Sequence, residues 1–473
     1  MAAKAATALA TLLLASACSL APDYKPPETT VPAAFKEAAP WQAASANVPA
    51  SGDWWTAFGD QTLNDLEAKV VAGNFDLAVA SARYEEARGV ARQDRADLFP
   101  EIDAGTGVQY GKPSIVDTRG LPPHVGIGKT MGVSLAYEVD LFGQVHNQLA
   151  AGRANAVAAG FDVDALKLGL RSQLASVYFD LRGLDARIVL LRQTVDSYQR
   201  AFDLTDKRHT GGVSSGIDVS RAQAQLSSAK AELSTTALDR QRDEHTIAVL
   251  IGEAPANFSL PVVDDQTRPP QVPGGLPSAL LERRPDITAA ERRVAAANAQ
   301  IGVARAALYP NITLGGSAGY DAGNSNWLSV PNSFWALGPL QAAMAIFDGG
   351  KRRAGVHIAR AQYDEAAANY RETVLTAFRE VEDDLAAQRL LATAEGDLSN
   401  AANAAQKTSD LALTRYRDGA SDYLEVVTAQ TAALDAERSL LVLRSQQLQI
   451  AADTFRAIGG NYANQDNKAP GGS

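Results

Sequence analysis

The sequence predicts a mainly α-helical protein with a small membrane β part, built twice on one plan of helix, β-hairpin and very long helix. Three observations predict it. Between Gln144 and Arg208, Leu166, Leu170, Leu174, Val177, Leu181, Leu184, Ile188, Leu191, Val195, Tyr198 and Phe202 fall at steps of four and three. That average of about 3.5 residues is a heptad seam, which coils against neighbouring helices. Next, the chain repeats itself: Arg95-Ala96-Asp97-Leu98-Phe99-Pro100-Glu101-Ile102 returns as Arg305-Ala306-Ala307-Leu308-Tyr309-Pro310-Asn311-Ile312, an offset of 210. Gly212, Ile217, Asp218, Val219, Ala222 and Gln223 return as Gly419, Leu424, Glu425, Val426, Ala429 and Gln430, an offset of 207. A repeat this large is a duplicated domain, not a solenoid unit. Finally, the segments after Pro100 and Pro310 alternate apolar with tiny or polar residues over about ten positions, the pattern of a membrane barrel strand.

Taken in order, residues 1–17 form a signal peptide: Lys4, an apolar run through Leu12-Leu13-Leu14, then Ala15, Ser16 and Ala17. The run is too short for a permanent membrane helix. Cys18, the chain's only cysteine, follows directly, placed like the acylated first residue of a bacterial lipoprotein, although Ala15 stands where that signal usually has leucine. An idle thiol beside an ordinary cleavage site is the alternative. Ser19 after the cysteine points to the outer membrane. Residues 18–60 are rich in proline and alanine and read as an extended arm, closed by Trp54, Trp55 and Phe58 docked on the body.

The first repeat, 61–254, opens with a helix from about Leu63 to Leu98, which Pro100 stops. Strands follow at about 101–111 and 130–141, across a Gly and Pro-rich loop. After Phe142-Gly143 comes the long helix, with no proline from His124 through Ala254 to kink it. It reverses at Gly211 to Gly216 and returns as Ile217 to Ile251. Residues 255–277 form a proline-rich linker. The second repeat, 278–460, has a helix from about Ser278 to Leu308, strands at about 311–320 and 334–347, and a rod from Lys351 to Arg417 that Gly396 is expected to interrupt. That rod turns at Asp418 to Asp422 and returns as Leu424 to Ile458. The tail 461–473 reads as disordered.

Four strands cannot close a barrel, and a lipid-exposed sheet edge is forbidden. Closure must come from other copies: two give eight strands with a filled interior, three give twelve with room for a channel. A composition of 46% hydrophobic but only 7% aromatic residues suits coiled helices better than a large enzyme core, and a net charge of −10 argues against a nucleic-acid partner.

Cys18-Ser19-Leu20-Ala21-Pro22-Asp23-Tyr24, the Trp54-Trp55 pair, the duplicated Leu-Phe/Tyr-Pro helix ends, Asp140-Leu141-Phe142-Gly143, Ile346-Phe347-Asp348-Gly349-Gly350 and Arg415-Tyr416-Arg417-Asp418-Gly419 occur in one specific order. On these the chain resembles the TolC-like outer-membrane efflux proteins, NodT-type lipoprotein branch, over nearly all its mature length. The resemblance implies a homotrimer with a twelve-stranded barrel in the outer membrane and an α-helical barrel in the periplasm. It also implies a periplasmic adaptor (membrane fusion) protein and an inner-membrane resistance-nodulation-division transporter as partners. No cofactor is implied beyond covalent lipid on Cys18.

In the family the periplasmic mouth is closed by acidic residues and salt links beside the two turns. The matching positions are Asp218 and Glu425, with Arg415, Tyr416 and Arg417 alongside. Carboxylates from every copy around one constriction select cations and repel each other. Their place in the first turn of a helix is equally what the macrodipole favours. Ser421 and Thr428 depart from family members that carry arginine and aspartate there, so the locking links are fewer or differently placed. The turns Gly212-Val213-Ser214 and Gly419-Ala420-Ser421 resemble the tips that meet adaptor hairpins.

Several patterns lead nowhere. Gly212-Val213-Ser214-Ser215-Gly216 matches the hydrolase nucleophile elbow but lies between helices, where that motif needs a strand before it. Gly128-Lys129-Thr130 lacks the first glycine of a phosphate loop. His124, His146, His209, His245 and His357 show no metal-ligand spacing. The sequence therefore reads as a non-enzymatic exit duct for small toxic compounds. The outer component of a type I protein secretion system and a pore-free coiled-coil scaffold lipoprotein are the alternatives.

Overall fold

The computed structural model describes residues 19–38, 53–112, 125–263, 267–270, 283–322, 328 and 330–460. The signal peptide, Cys18, part of the linker and the tail 461–473 lie outside them. The chain divides into two compact units. One holds Met1–Glu28, Ala82–Gly160 and Ala289–Arg371; the other holds Thr29–Ser81, Phe161–Thr288 and Glu372–Ser473.

Among the described residues the helices are α1 (Gln61–Gly73), α2 (Phe75–Ala96), α3 (Gln144–Thr210), α4 (Gly216–Leu250), α5 (Pro285–Ala306), α6 (Lys351–Arg417) and α7 (Tyr423–Ala457). The strands are β1 (Glu101–Gly111), β2 (Gly126–Glu138), β3 (Asn311–Ala322) and β4 (Ser333–Ala343). α3 and α6 each run 67 residues without a break, about 100 Å at 1.5 Å per residue.

The unit that contains the strands holds one antiparallel sheet in the order β1-β2-β3-β4. Ile102 faces Leu135 and Thr106 faces Met131 across β1 and β2, while Gly132 pairs with Gly319 across β2 and β3. The second strand starts and ends earlier than the sequence suggests. β1 runs far enough to pair Gly111 with Gly126, and beyond Glu138 only Val139 N still donates to Ile312 O, at 2.8 Å, before the turn into α3. β4 ends at Ala343, not at Phe347, because its partner β3 begins at Asn311. Between Leu314 and Gly316 the ladder is irregular. Opposite lies Pro339, which has no N–H to give. Large apolar side chains stand open on both edge strands, among them Ile102, Val108 and Tyr110 on β1 and Trp335, Leu337 and Leu340 on β4. No helix among the described residues is long and apolar enough to cross a membrane.

In the same unit the arm is fastened to α5 and the start of α3. Ser19 Oγ donates to Asn147 Oδ1 at 2.8 Å, Asn298 Nδ2 donates to Pro22 O at 2.8 Å, Arg305 donates to Leu20 O at 3.0 Å, and Tyr24 donates to Glu291.

The other unit is organised by the rods and the aromatic end of the arm. Trp54 stacks on Phe455 at 5.4 Å, Phe58 meets Phe179 at 4.7 Å, and the Arg171 guanidinium lies 4.1 Å over the Trp55 ring. The heptad seam is in the core: Leu170, Leu174, Leu181, Ile188, Leu191 and Tyr198 are buried.

Two helix expectations are corrected. The helix expected from Leu63 to Leu98 is two helices, broken at Gly73-Asn74. There the chain passes so close to the end of α4 that a Cβ on Gly73 would sit 2.2 Å from Ile251 O. Asn74 secures the break, since its Oδ1 accepts from Leu77 N at 3.0 Å and its Nδ2 donates to Leu250 O at 2.9 Å. Conversely, α6 runs straight through Gly396. A glycine costs an exposed helix interior about 1 kcal/mol, too little to break so long a rod. The helix expected from Ser278 is seen as α5 from Pro285, with residues 271–282 outside the described set.

Candidate functional site: the two rod turns

The two rods reverse with the same geometry. Gly212 and Gly419 both hold φ at +77°, a left-handed value that glycine adopts without strain. In each turn the residue after the glycine sends its N–H back to the helix: Val213 N to Arg208 O and Ala420 N to Arg415 O, both at 2.8 Å. The repeat offset of 207 thus carries through to the backbone.

The returning helices are capped differently. Ser215 caps α4, with its Oγ accepting from Asp218 N at 3.2 Å. The Asp218 carboxylate accepts from Ser215 N at 3.3 Å and from Ser215 Oγ at 2.8 Å, completing a capping box. It also lies 3.6 Å from Arg221. Asp422 caps α7 by accepting from Glu425 N at 3.0 Å, so the Glu425 carboxylate is free to pair with Arg415 at 2.9 Å. Asp218 is therefore held largely by its own cap. Glu425 projects further, its side chain 44% exposed against 19% for Asp218.

Tyr416, expected beside the constriction, is buried instead. It packs with Tyr423, Ala201, Ala222 and Val426, its ring 5.2 Å from that of Tyr423, and its hydroxyl donates to Thr205 Oγ1 at 3.4 Å. Arg417 is exposed. Of the turn residues, Gly212, Val213, Gly419 and Ala420 are exposed, Val213 by 69%. Ser214 Oγ donates to Asp218 at 3.3 Å, and helices flank it on both sides, where a nucleophile elbow needs a strand before it. Ser421 Oγ is buried without a hydrogen-bond partner among the described residues.

Sequence reasoning missed Arg208. Its Nη1 donates to Tyr416 O at 2.6 Å, and its guanidinium lies 4.6 Å over the Tyr416 ring, so it fastens the end of α3 to the end of α6. The signal was present, because Arg208 is the repeat mate of Arg415, again 207 residues apart.

Higher on the rods two carboxyls titrate near neutrality. Burial, then the facing carboxylate of Asp180, pushes Asp243 up to about 7. Burial, then Asp453, does the same to Asp384, with Glu380 and Asp383 adding and Arg456 opposing. A carboxyl with a raised folded-state pKa binds more protons folded than unfolded between about 4 and 7. Stability therefore falls as pH rises through 7. The melting temperature is expected to be higher at pH 6 than at pH 8, and replacing both residues with asparagine should flatten that difference. An unchanged slope in the double variant would remove these carboxyls as its source.

The profile described as "Outer membrane efflux protein" matches residues 68–253 and 276–460. The probable efflux pump outer membrane protein TtgC of Pseudomonas putida is 32% identical over 97% of this chain and 96% of its own. Nodulation protein T of Rhizobium leguminosarum bv. viciae is 32% identical over 95% of this chain and 92% of its own. The solved structure of the outer-membrane channel OprN superposes with a TM-score of 0.87 at 30% identity, covering 94% of this chain and 99% of that one.

Proposed function

The chain belongs to the outer membrane efflux protein family, and from that premise we propose that it works as a homotrimeric exit duct for small toxic compounds. An inner-membrane resistance-nodulation-division transporter drives it through a periplasmic adaptor. It is an outer-membrane efflux channel component and not an enzyme.

One observation carries the reading. The sheet has four strands in simple antiparallel order, and among the described residues β1 and β4 have no partner on their outer edges. Both edges carry exposed apolar side chains. A strand edge cannot face lipid unpaired, because each free N–H and C=O there costs several kcal/mol. Further copies must complete the sheet, and three give a twelve-stranded barrel with a lumen. The scaffold alternative leaves this apolar sheet without a use.

The finer assignments rest on the same footing. Arg415–Glu425 pairs and Asp218 from each copy form the periplasmic gate. The exposed Val213 and the turns 212–214 and 419–421 receive the adaptor. Cys18 carries the lipid, a role that suits the arm after it, since Ser19, Leu20, Pro22 and Tyr24 are each hydrogen-bonded to the same unit. Substrate choice belongs to the pump, because a wide passive duct discriminates little.

Reconstitution of the purified chain into planar bilayers tests the proposal. Uniform conductance steps are expected. A protein that inserts no conductance and remains monomeric in detergent would overturn the duct.

A further inference from the structure

Shifted by 207 residues, α3 falls on α6 and α4 falls on α7. Many core positions agree across that shift: Leu174 and Val381, Tyr178 and Leu385, and Thr236 and Leu443 are all buried. One stripe on each of α6 and α4 disagrees with its mate.

Within the chain α3 lies against α7. A Cβ on Gly183 would stand 2.8 Å from the Ser445 side chain. Ser445 Oγ donates to Phe179 O at 3.1 Å, and Ser172 Oγ donates to Asp453 Oδ1 at 2.9 Å. Contacts that rise along one helix fall along the other, so the two run antiparallel. On α7 this contact buries Ser445, Leu448 and Ala452, which share one face at i, i+3 and i+7. Their mates on α4 are Leu238, Gln241 and His245, and all three are exposed. On the other side of the contact, Ser172 and Gly183 have Arg379 and Leu390 as mates on α6, again exposed. Leu375, 63% exposed, is the mate of Leu168, whose side chain lies where a Cβ on Gly460 would meet it at 2.8 Å.

A lone exposed leucine is ordinary. Here, however, the open stripes on α6 and α4 are the repeat mates of the two sides of a contact already made, so they are complementary in the same register. Copies that offer one face to the next close into a ring. A contact between the two halves, made once inside each chain, is then made once more between chains with the halves exchanged. We propose that α6 of one copy packs antiparallel on α4 of the next, with Leu390 against Leu238 of the partner subunit. This rests on the reading of the chain as an oligomeric duct. Leu390 and Leu238 are 57% and 46% exposed in the single chain. They stand where the seam within the chain has glycine and serine, so the seam between copies is the wider one at this level, because helix spacing follows the side chains at the contact.

Paired cysteines test the register. In the full chain purified in detergent, Leu238→Cys with Leu390→Cys is expected to give, on oxidation with copper phenanthroline, a reducible species of three times the chain's mass on a denaturing gel. Each single variant reports what Cys18 contributes and should link at least tenfold less. Leu390→Cys with Ile217→Cys should not link either, since position 217 lies 21 residues down α4 from position 238, roughly 30 Å away. Leu238→Glu with Leu390→Glu, which sets like charges in the seam, should raise the protein concentration needed for assembly at least tenfold. Both positions are exposed in the single chain, and circular dichroism checks that each variant folds. A double-cysteine protein that assembles and conducts in bilayers, yet links no better than its single variants or than the Ile217 pair, would overturn this seam and leave the duct standing. Assembly unchanged by the two glutamates would do the same. A wild-type chain that stays monomeric and inserts no conductance would remove the duct, and the seam with it.

Discussion

Asp185→Ala is expected to destabilise the protein by about 3–5 kcal/mol, the loss seen when one partner of a buried ion pair is removed. Asp185 is fully buried on α3, its carboxylate accepting from Arg182 at 2.8 Å and from Arg240 of α4 at 2.6 Å. Both arginine side chains are less than 10% exposed. The same guanidiniums donate outward to the linker, Arg182 to Pro261 O at 3.0 Å and Arg240 to Leu260 O at 2.7 Å. Removing the carboxylate leaves two positive charges facing each other in a site that water does not reach. Glu244, 3.1 Å from Arg240, compensates one of them in part. Asp185→Asn keeps an oxygen acceptor and should lose less. Thermal unfolding at one fixed scan rate measures the order, wild type above asparagine above alanine. If alanine cost no more than an exposed ion pair, under about 1 kcal/mol, the cluster would not be holding the linker.

That cluster also marks where the sequence stops being legible. Periodicity exposes features that repeat within a few residues, and so the seam from Leu166 to Phe202 and the strands after Pro100 and Pro310 could be read directly. Duplication extends the reading, since positions 207 apart share a turn and a φ value at Gly212 and Gly419. Even so, Arg208 and Arg415 are mates that do different work, one reaching the other hairpin's Tyr416 and one its own hairpin's Glu425. A repeat names equivalent places and not their partners. Asp185 sits between Leu184 and Ala186 with nothing local to distinguish it, because its importance comes from an arginine 55 residues away. The break at Gly73-Asn74 is similar. Glycine followed by asparagine is a fair stop signal, but what demands it is the approach of Ile251. At Gly396 the signal was present and the cause absent, so the helix continues.

The largest functional effect is expected from reversing both acids at the turns. If the proposed gate holds, Asp218→Lys with Glu425→Lys should make the channel anion-preferring in bilayer recordings, since carboxylates ringed around a constriction set the sign of the local potential. The structure separates the two contributions. Asp218 is the reciprocal half of the Ser215 capping box, so its replacement loses the carboxylate's bonds to Ser215 N and Oγ, keeps the Ser215 cap itself, and sets a positive charge at a helix N-terminus. Its single variant should lose more stability than selectivity. Glu425 is the more exposed side chain and neutralises Arg415, so Glu425→Lys changes two charge units at the more open position and leaves Arg415 facing a like charge. That single variant should carry most of the reversal and should also loosen the closed turns, raising conductance. Recordings of the two single variants and the double distinguish these roles. A cation preference that persists in the double variant would move the constriction away from these helix starts and leave Asp218 to its capping box and Glu425 to its pair with Arg415.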